Sequence, residues 1–431
     1  MESEKIRVLV ISYLPWRNDV STGNTLTNLF EGLQKKMEFA NIYFKGGKPQ
    51  NNVAEFHFYI SEKQLAKSII TKRPVGEEII AKCNEHETIS PDNGIYNKAR
   101  QMRWESMLLV QDLIGICGKW KSEELNEFIN KFEPDIVFGP LGRVPAANIL
   151  MQYVHEKYSI PIVPYAWDDH YSLKKRALSP FFWIKTFIER KYIKRCVDAS
   201  EFLYTITIPM QQEYEQYFNK KCKVLYKGYD FLGEAPVKDS VSFPVKIVYM
   251  GNIGSGRWQV LAKVAKAISN INHNEKKAEL FIYTMSPKSK AIKRALTIKG
   301  TSKLMDPVPY EEVLPTMNSA DILLYVEPTS EKERLFFRLS FSTKIVDYLY
   351  NARCIFAVGG MTASIDYMKN NAAAIVETKD DKIETTLYNL ISDHHKILQY
   401  GKNAWECGVR NHQRSVIQDN LYDTFVNITK K

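Results

Sequence analysis

Val245-Lys246-Ile247-Val248-Tyr249-Met250-Gly251-Asn252-Ile253-Gly254-Ser255-Gly256-Arg257 is the stretch whose reading decides the fold. Its opening is rich in β-branched and aromatic side chains and predicts a strand over Val245–Met250, buried on both faces. Three glycines then predict a turn. Val260, Leu261, Val264 and Ile268 recur at helical spacing and predict a helix over 258–270. In a strand–turn–helix unit of this kind, glycines let the backbone approach a phosphate, and the helix start offers unpaired N–H donors. Arg257 adds a guanidinium fork suited to phosphate oxygens. The plain alternative is a glycine-rich connection with a solvated arginine. The order strand, turn, helix favours the phosphate reading, with Gly254 and Arg257 as its residues.

Downstream, strands are expected over 279–283, 321–326, 354–358 and 374–376. Helices are expected over 310–319, 343–351 and 383–391, followed by a helical tail up to 428. Upstream, Ile6–Ser12 reads as a buried strand, followed by a loop with Pro15, Asn18, Asp19 and Gly23. Further strands are expected over 41–44, 136–138, 162–165 and 202–206. Helices are expected over 24–36, 97–117, 123–132, 146–157 and 178–195. Residues 228–244 carry Gly228, Gly233, Pro236 and Pro244 and little apolar periodicity, and read as a linker. The expectation is an α/β chain of two Rossmann-like, doubly wound domains facing each other across a cleft. They span residues 1–235 and 244–400, and a helical segment over 401–431 packs back on the first.

The 431 residues suit two cores rather than one. The net charge of +10 is spread along the chain, with its densest run over 174–195, which argues against a disordered basic arm. Cys83, Cys117, Cys196, Cys222, Cys354 and Cys407 form no C-x-x-C pair and no zinc spacing, and read as reduced thiols. The run from Ile6 to Tyr13 is too short for a signal core or a membrane span. The expected location is cytoplasmic, with peripheral contact at the inner face of the plasma membrane left open.

A second motif is Phe341-Ser342-Thr343-Lys344-Ile345-Val346-Asp347-Tyr348-Leu349. Ser342 or Thr343 can cap a helix. Lys344 then stands in the first turn, where the positive helix end disfavours a cation unless an anion is bound. Asp347, three residues on, shares its face, and a carboxylate can accept both hydroxyl hydrogens of a ribose. The plain alternative is a surface Lys–Asp pair. With Ala352-Arg353-Cys354-Ile355-Phe356-Ala357 behind it, this segment resembles the donor-binding helix of GT-B glycosyltransferases, most of all the retaining enzymes of glycosyltransferase family 4. The turn at Gly251 is similar to that family's phosphate element, with Asn252 where an Arg is usual and Arg257 where a Lys is usual. Ser21-Thr22-Gly23-Asn24-Thr25 resembles the loop that approaches the donor diphosphate and the acceptor. The resemblance implies a nucleotide-diphosphate sugar as donor, a saccharide or lipid-linked acceptor, and no cofactor or bound metal. Gly23, Asn24, Gly254, Arg257, Ser342, Thr343, Lys344 and Asp347 would hold the donor. The sequence departs from the family at Leu339, where a Glu is usual, and at Asp347, where a Glu is usual. Glu327 is chosen to reach the sugar because it follows a strand directly. Glu331 and Glu333 read equally well as a solvated loop.

Asp168, Asp169 and His170 follow the strand at 162–165. They read either as an acceptor-side group, with Asp169 and His170 as catalytic candidates, or as a loop capping the next helix. Basic and aromatic residues interleave over 174–195, which suits an anionic membrane surface or an ordinary amphipathic helix. Two other classes compete with transfer: a GT-B-fold sugar-nucleotide epimerase, and a non-catalytic or nucleic-acid-binding protein. Nothing in the sequence resembles a stacking platform or recognition helix, so no nucleic acid is expected.

Overall fold

The computed structural model describes residues 5–71, 73, 75–80 and 105–430. Cys83 and residues 97–104 of the expected helix lie outside them. The chain forms two compact units, Met1–Tyr226 with Val416–Lys431, and Lys227–Ser415.

The strands of the first unit are β1 (Ile6–Ser12), β2 (Met37–Tyr43), β3 (Phe56–Tyr59), β4 (Glu77–Ile80), β5 (Ile136–Pro140), β6 (Ile162–Ala166), β7 (Leu203–Thr205) and β8 (Cys222–Val224). They form one sheet in the order β4-β3-β2-β1-β5-β6-β7-β8. Every pairing is parallel except β3 with β4. Val8, Leu9, Val10 and Ile11 of β1 are fully buried, as a central strand covered on both faces requires. The strand order turns back between β1 and β5, and loops at the carboxyl ends there are the ligand-binding position of open α/β sheets.

The first helix runs over Ser21–Phe30, not 24–36. Gly32, at φ 94°, breaks the apolar periodicity that suggested a longer element, and β2 has begun by Met37. The amide of Gln418 donates to the carbonyls of Asn28, Leu29 and Glu31 at 3.3, 3.3 and 2.8 Å, satisfying acceptors at the end of that helix. Gln418 belongs to the last helix, Arg414–Thr429. Phe425 of the same helix is fully buried, with its ring 6.4 Å from Phe30 and 5.9 Å from Phe138.

The second unit holds β9 (Val245–Met250), β10 (Ala278–Tyr283), β11 (Ser302–Met305), β12 (Ile322–Glu327), β13 (Cys354–Gly359) and β14 (Ile375–Glu377). Its sheet is all parallel, in the order β11-β10-β9-β12-β13-β14. The run after β12, expected as a loop, contains the helix Glu331–Phe337, started by Ser330, whose hydroxyl accepts from the Glu333 N–H.

Phe425→Ala should destabilise the first unit by about 3–5 kcal/mol, read as a shift in its urea midpoint. A change under about 1 kcal/mol would mean that the last helix adds little to that core.

Candidate functional site

The order of the second sheet turns back between β9 and β12, so the carboxyl ends of these two neighbours mark its switch point. β9 ends in the glycine turn, and β12 ends on Glu327. Arg257 opens the helix Arg257–Ile271, and its side chain is 16% exposed and paired rather than free in solvent. Its Nη2 lies 3.1 Å from Glu327 Oε2, and its guanidinium stands 4.6 Å from the Phe337 ring centre. Glu327 is 3% exposed, and the Tyr325 hydroxyl donates to its other oxygen. Tyr325 was not singled out in the sequence. Its signal is a position two residues before Glu327 on one strand, hence on the same face.

Gly359 stands opposite Glu327 in the β12–β13 register. A Cβ there would lie 2.0 Å from the Glu327 carbonyl oxygen, at φ 129°. Only glycine lets the two strand ends come this close.

Lys344 opens the helix Lys344–Tyr350. Neither Ser342 nor Thr343 caps it through a side chain, contrary to expectation, because Thr343 is itself helical at φ −57° and ψ −23°. The first N–H groups turn to backbone instead, Ile345 to the Ser342 carbonyl at 2.9 Å and Val346 to that of Thr343 at 3.2 Å. The Ser342 N–H donates to Ser364 Oγ at 3.1 Å. The Lys344 side chain reaches across to the end of β9 and donates to the Met250 carbonyl at 3.3 Å. A Cβ on Gly251 would stand 2.2 Å from its ammonium nitrogen. The two motifs read separately in the sequence therefore meet through Lys344 and Gly251. Burial, and then the neighbouring Arg257, push the Lys344 ammonium down to about 8.

Gly254 does not aim its N–H outward. It donates to Asn252 Oδ1 at 2.6 Å, which also accepts from Ser286 Oγ at 3.1 Å. The Ile253 N–H donates to Ser286 Oγ at 3.2 Å. An anion at this turn would have to be met chiefly by the Lys344 and Arg257 side chains.

Asp347 lies one turn along from Lys344 and forms an ion pair with Lys227, Nζ to Oδ1 2.9 Å. Lys227 was missed. It directly precedes the stretch read as a linker, and no periodicity marks it. Its carbonyl bonds His412 Nδ1 at 2.9 Å, and His412 Nε2 meets the Tyr367 hydroxyl at 2.8 Å.

In the first unit, Gly23 and Asn24 stand in the first turn of Ser21–Phe30 rather than at the end of a loop. A Cβ on Gly23 would lie 2.1 Å from the Arg17 carbonyl oxygen, so this glycine serves close packing. Asp169 is 3% exposed and accepts from the Ser172 N–H at 2.9 Å, the Ser172 hydroxyl and the Tyr214 hydroxyl at 3.2 Å. These bonds are those of a loop-organising carboxylate. His170, 9% exposed, is held well below the ordinary imidazole range by burial and then by Arg143, Lys175 and Lys185, so it is neutral at pH 7. Asp168 is exposed.

The 174–195 run ends in the helix Pro180–Asp198. Part of its charge is neutralised within the unit. Lys185 is buried between Asp112, at 3.1 Å, and Glu189, and Lys174 pairs with Glu213 at 3.2 Å. Leu178, Phe181, Ile184 and Phe187 are exposed at intervals of three residues. Among the described residues, no helix is long and apolar enough to cross a membrane.

The depressed Lys344 makes a pH signature. Its charged form is disfavoured in the folded protein below about pH 8, and that penalty vanishes as pH rises from about 8 towards 10.5. Ligand-free protein should therefore gain stability over this window, and Lys344→Met should lose that gain. An unchanged urea midpoint profile in the variant would contradict the placement.

No protein-family model matches this chain, and no curated sequence matches it. Solved structures do. The N-terminal domain of Candida albicans trehalose-6-phosphate phosphatase is similar at TM-score 0.58 and 12% identity, over 99% of this chain and 98% of that one. WaaG, a glycosyltransferase involved in lipopolysaccharide biosynthesis, is similar at 0.56 and 10%, over 97% and 99%. An α,α-trehalose-phosphate synthase (UDP-forming) from Burkholderia vietnamiensis is similar at 0.59 and 9%, over 99% and 98%. Such identities speak for the fold alone: this chain has the two-domain GT-B fold, shared with WaaG and the trehalose-phosphate synthase.

Proposed function

We propose that the protein is a GT-B glycosyltransferase that moves a sugar from a nucleotide-diphosphate donor to a saccharide or lipid-linked saccharide, in the synthesis of a bacterial cell-surface polysaccharide. The observation that carries the reading is the meeting of Arg257, Lys344 and Glu327 at the switch point of the second sheet. Two cations, one of them poorly solvated, suit a departing diphosphate, whose charge they stabilise without a metal. Asp347 takes the ribose hydroxyls, and Glu327 stands on the sugar side in place of the carboxylate absent at Leu339. Gly251 leaves room for Lys344. Transfer with retention is favoured because Asp169, the natural general base for inversion, already accepts three hydrogen bonds, and His170 is a weak base in its buried setting.

The acceptor side is assigned to the first unit. The exposed row Leu178, Phe181, Ile184 and Phe187, with Lys174, Arg176, Lys191 and Arg195 near its two ends, suits an anionic bilayer that presents a lipid-linked acceptor.

Two measurements test these readings. Calorimetry with uridine, guanosine and adenosine diphosphates should show one of them binding, with the affinity falling above about pH 8 as Lys344 loses its proton. Lys344→Ala should weaken that binding by about tenfold or more. If no diphosphate binds, the donor reading fails; turnover of a nucleotide-sugar without any acceptor would point to epimerisation. In flotation with phosphatidylglycerol vesicles, Phe181→Asp/Phe187→Asp should abolish co-migration. Wild-type protein that stays at the bottom of the gradient would remove the membrane assignment.

A further inference from the structure

Three cations and two carboxylates meet around the candidate donor site: Arg257, Lys344 and Lys227 against Glu327 and Asp347. Two of the cations are already committed. Arg257 is paired with Glu327, and Lys227 with Asp347. Lys344 instead donates to a carbonyl, that of Met250. A nucleoside diphosphate brings about two to three negative charges, more than Lys344 and an Arg257 already shared with Glu327 can balance at a largely buried site. It also needs the Asp347 carboxylate, one oxygen of which is held by Lys227.

From these constraints we infer that Lys227 is a phosphate ligand that changes partner: it sits on Asp347 while the site is empty and moves to the diphosphate when the nucleotide enters. The inference rests on the donor reading above. The geometry suits an exchange. Lys344 and Asp347 are three apart on one helix, so their Cβ atoms are about 5–6 Å apart, within the sweep of a lysine side chain. The Lys227 backbone is fixed, since its carbonyl bonds the buried His412, and His412 is itself held by Tyr367 and packs against Phe341 at 5.8 Å between ring centres. The side chain is tied less firmly, by one ion pair and by an approach of 5.1 Å to the Tyr229 ring. Lys227 is 7% exposed, so a bare ammonium left there without a carboxylate or a phosphate would be costly. It therefore moves only when an anion arrives to receive it. The swap frees Asp347 for the ribose at the moment the phosphates are bound, which couples recognition of the two halves of the nucleotide.

The experiment compares uridine, guanosine and adenosine with their 5′-diphosphates, by calorimetry, on wild type, Lys227→Met and Lys227→Arg. Exchange predicts opposite signs for Lys227→Met. Binding of the preferred diphosphate weakens by about ten- to a hundredfold, because a charged hydrogen bond is lost. Binding of the bare nucleoside is equal or tighter, because Asp347 no longer has a competitor. Lys227→Arg, which keeps the charge, retains most of the diphosphate affinity. If nucleoside and diphosphate weaken together, Lys227 only holds Asp347 in place, and the inference is overturned. If neither changes, Lys227 has no part in binding. Should wild type bind none of the diphosphates, the donor reading itself falls, a result distinct from both. If Lys227→Met does not fold, a crystal structure of wild type with its diphosphate decides: Lys227 on a phosphate oxygen supports the exchange, and Lys227 still on Asp347 refutes it.

Discussion

A carboxylate buried at the end of a strand needs a cation, and the second unit is arranged around that need. Glu327 is 3% exposed at the carboxyl end of β12. An unanswered charge there would cost several kcal/mol or force protonation. Arg257 answers it from the start of the helix that follows β9, so the ion pair spans the two neighbouring strands at which the sheet changes direction. Gly359 makes the arrangement sterically feasible, since any side chain there would collide with the Glu327 backbone. Tyr325 completes the hydrogen bonding of the carboxylate from the same face of the same strand. Each element thus serves one constraint: to place a compensated charge where an open α/β sheet receives its ligand.

That compensation also shapes the chemistry open to Lys344. Burial of its ammonium, and then the like charge of Arg257, make Lys344 hold its proton less readily than a lysine in solvent. A group held in that condition gains more from a nearby anion than a solvated lysine would. The turn below contributes less than its glycines suggest, because Asn252 and Ser286 occupy the N–H groups of Gly254 and Ile253.

Much of this architecture was legible in the residues. Strands buried on both faces announce themselves as apolar, β-branched runs, and Ile6–Ser12 and Val245–Met250 are found as read. The short strands β3, β4, β8 and β11 were not read. They lie at or near sheet edges, where a strand of three or four residues need not be apolar. Helix ends were misjudged where backbone conformation decides them, as at Gly32. At the site, Lys344 and Gly251 were each singled out, but not their mutual contact, which joins residues 93 positions apart in number. Lys227 left no trace because an isolated lysine beside a linker has no pattern; only the fold brings it to Asp347. The charged run over 174–195 shows the opposite error: composition overstated its exposure, since Lys185 is spent inside the unit on Asp112 and Glu189.

The last helix has a consequence for the order of events on the ribosome. The first unit takes its final core residues, among them Phe425 beside Phe30 and Phe138, from a segment that follows the whole second unit in the chain. The second unit is thus an insertion that can complete its own sheet during synthesis, whereas the first must wait with an open apolar seam until the helix Arg414–Thr429 emerges. During that interval, the earlier-made unit is the one exposed to misassembly and to chaperones.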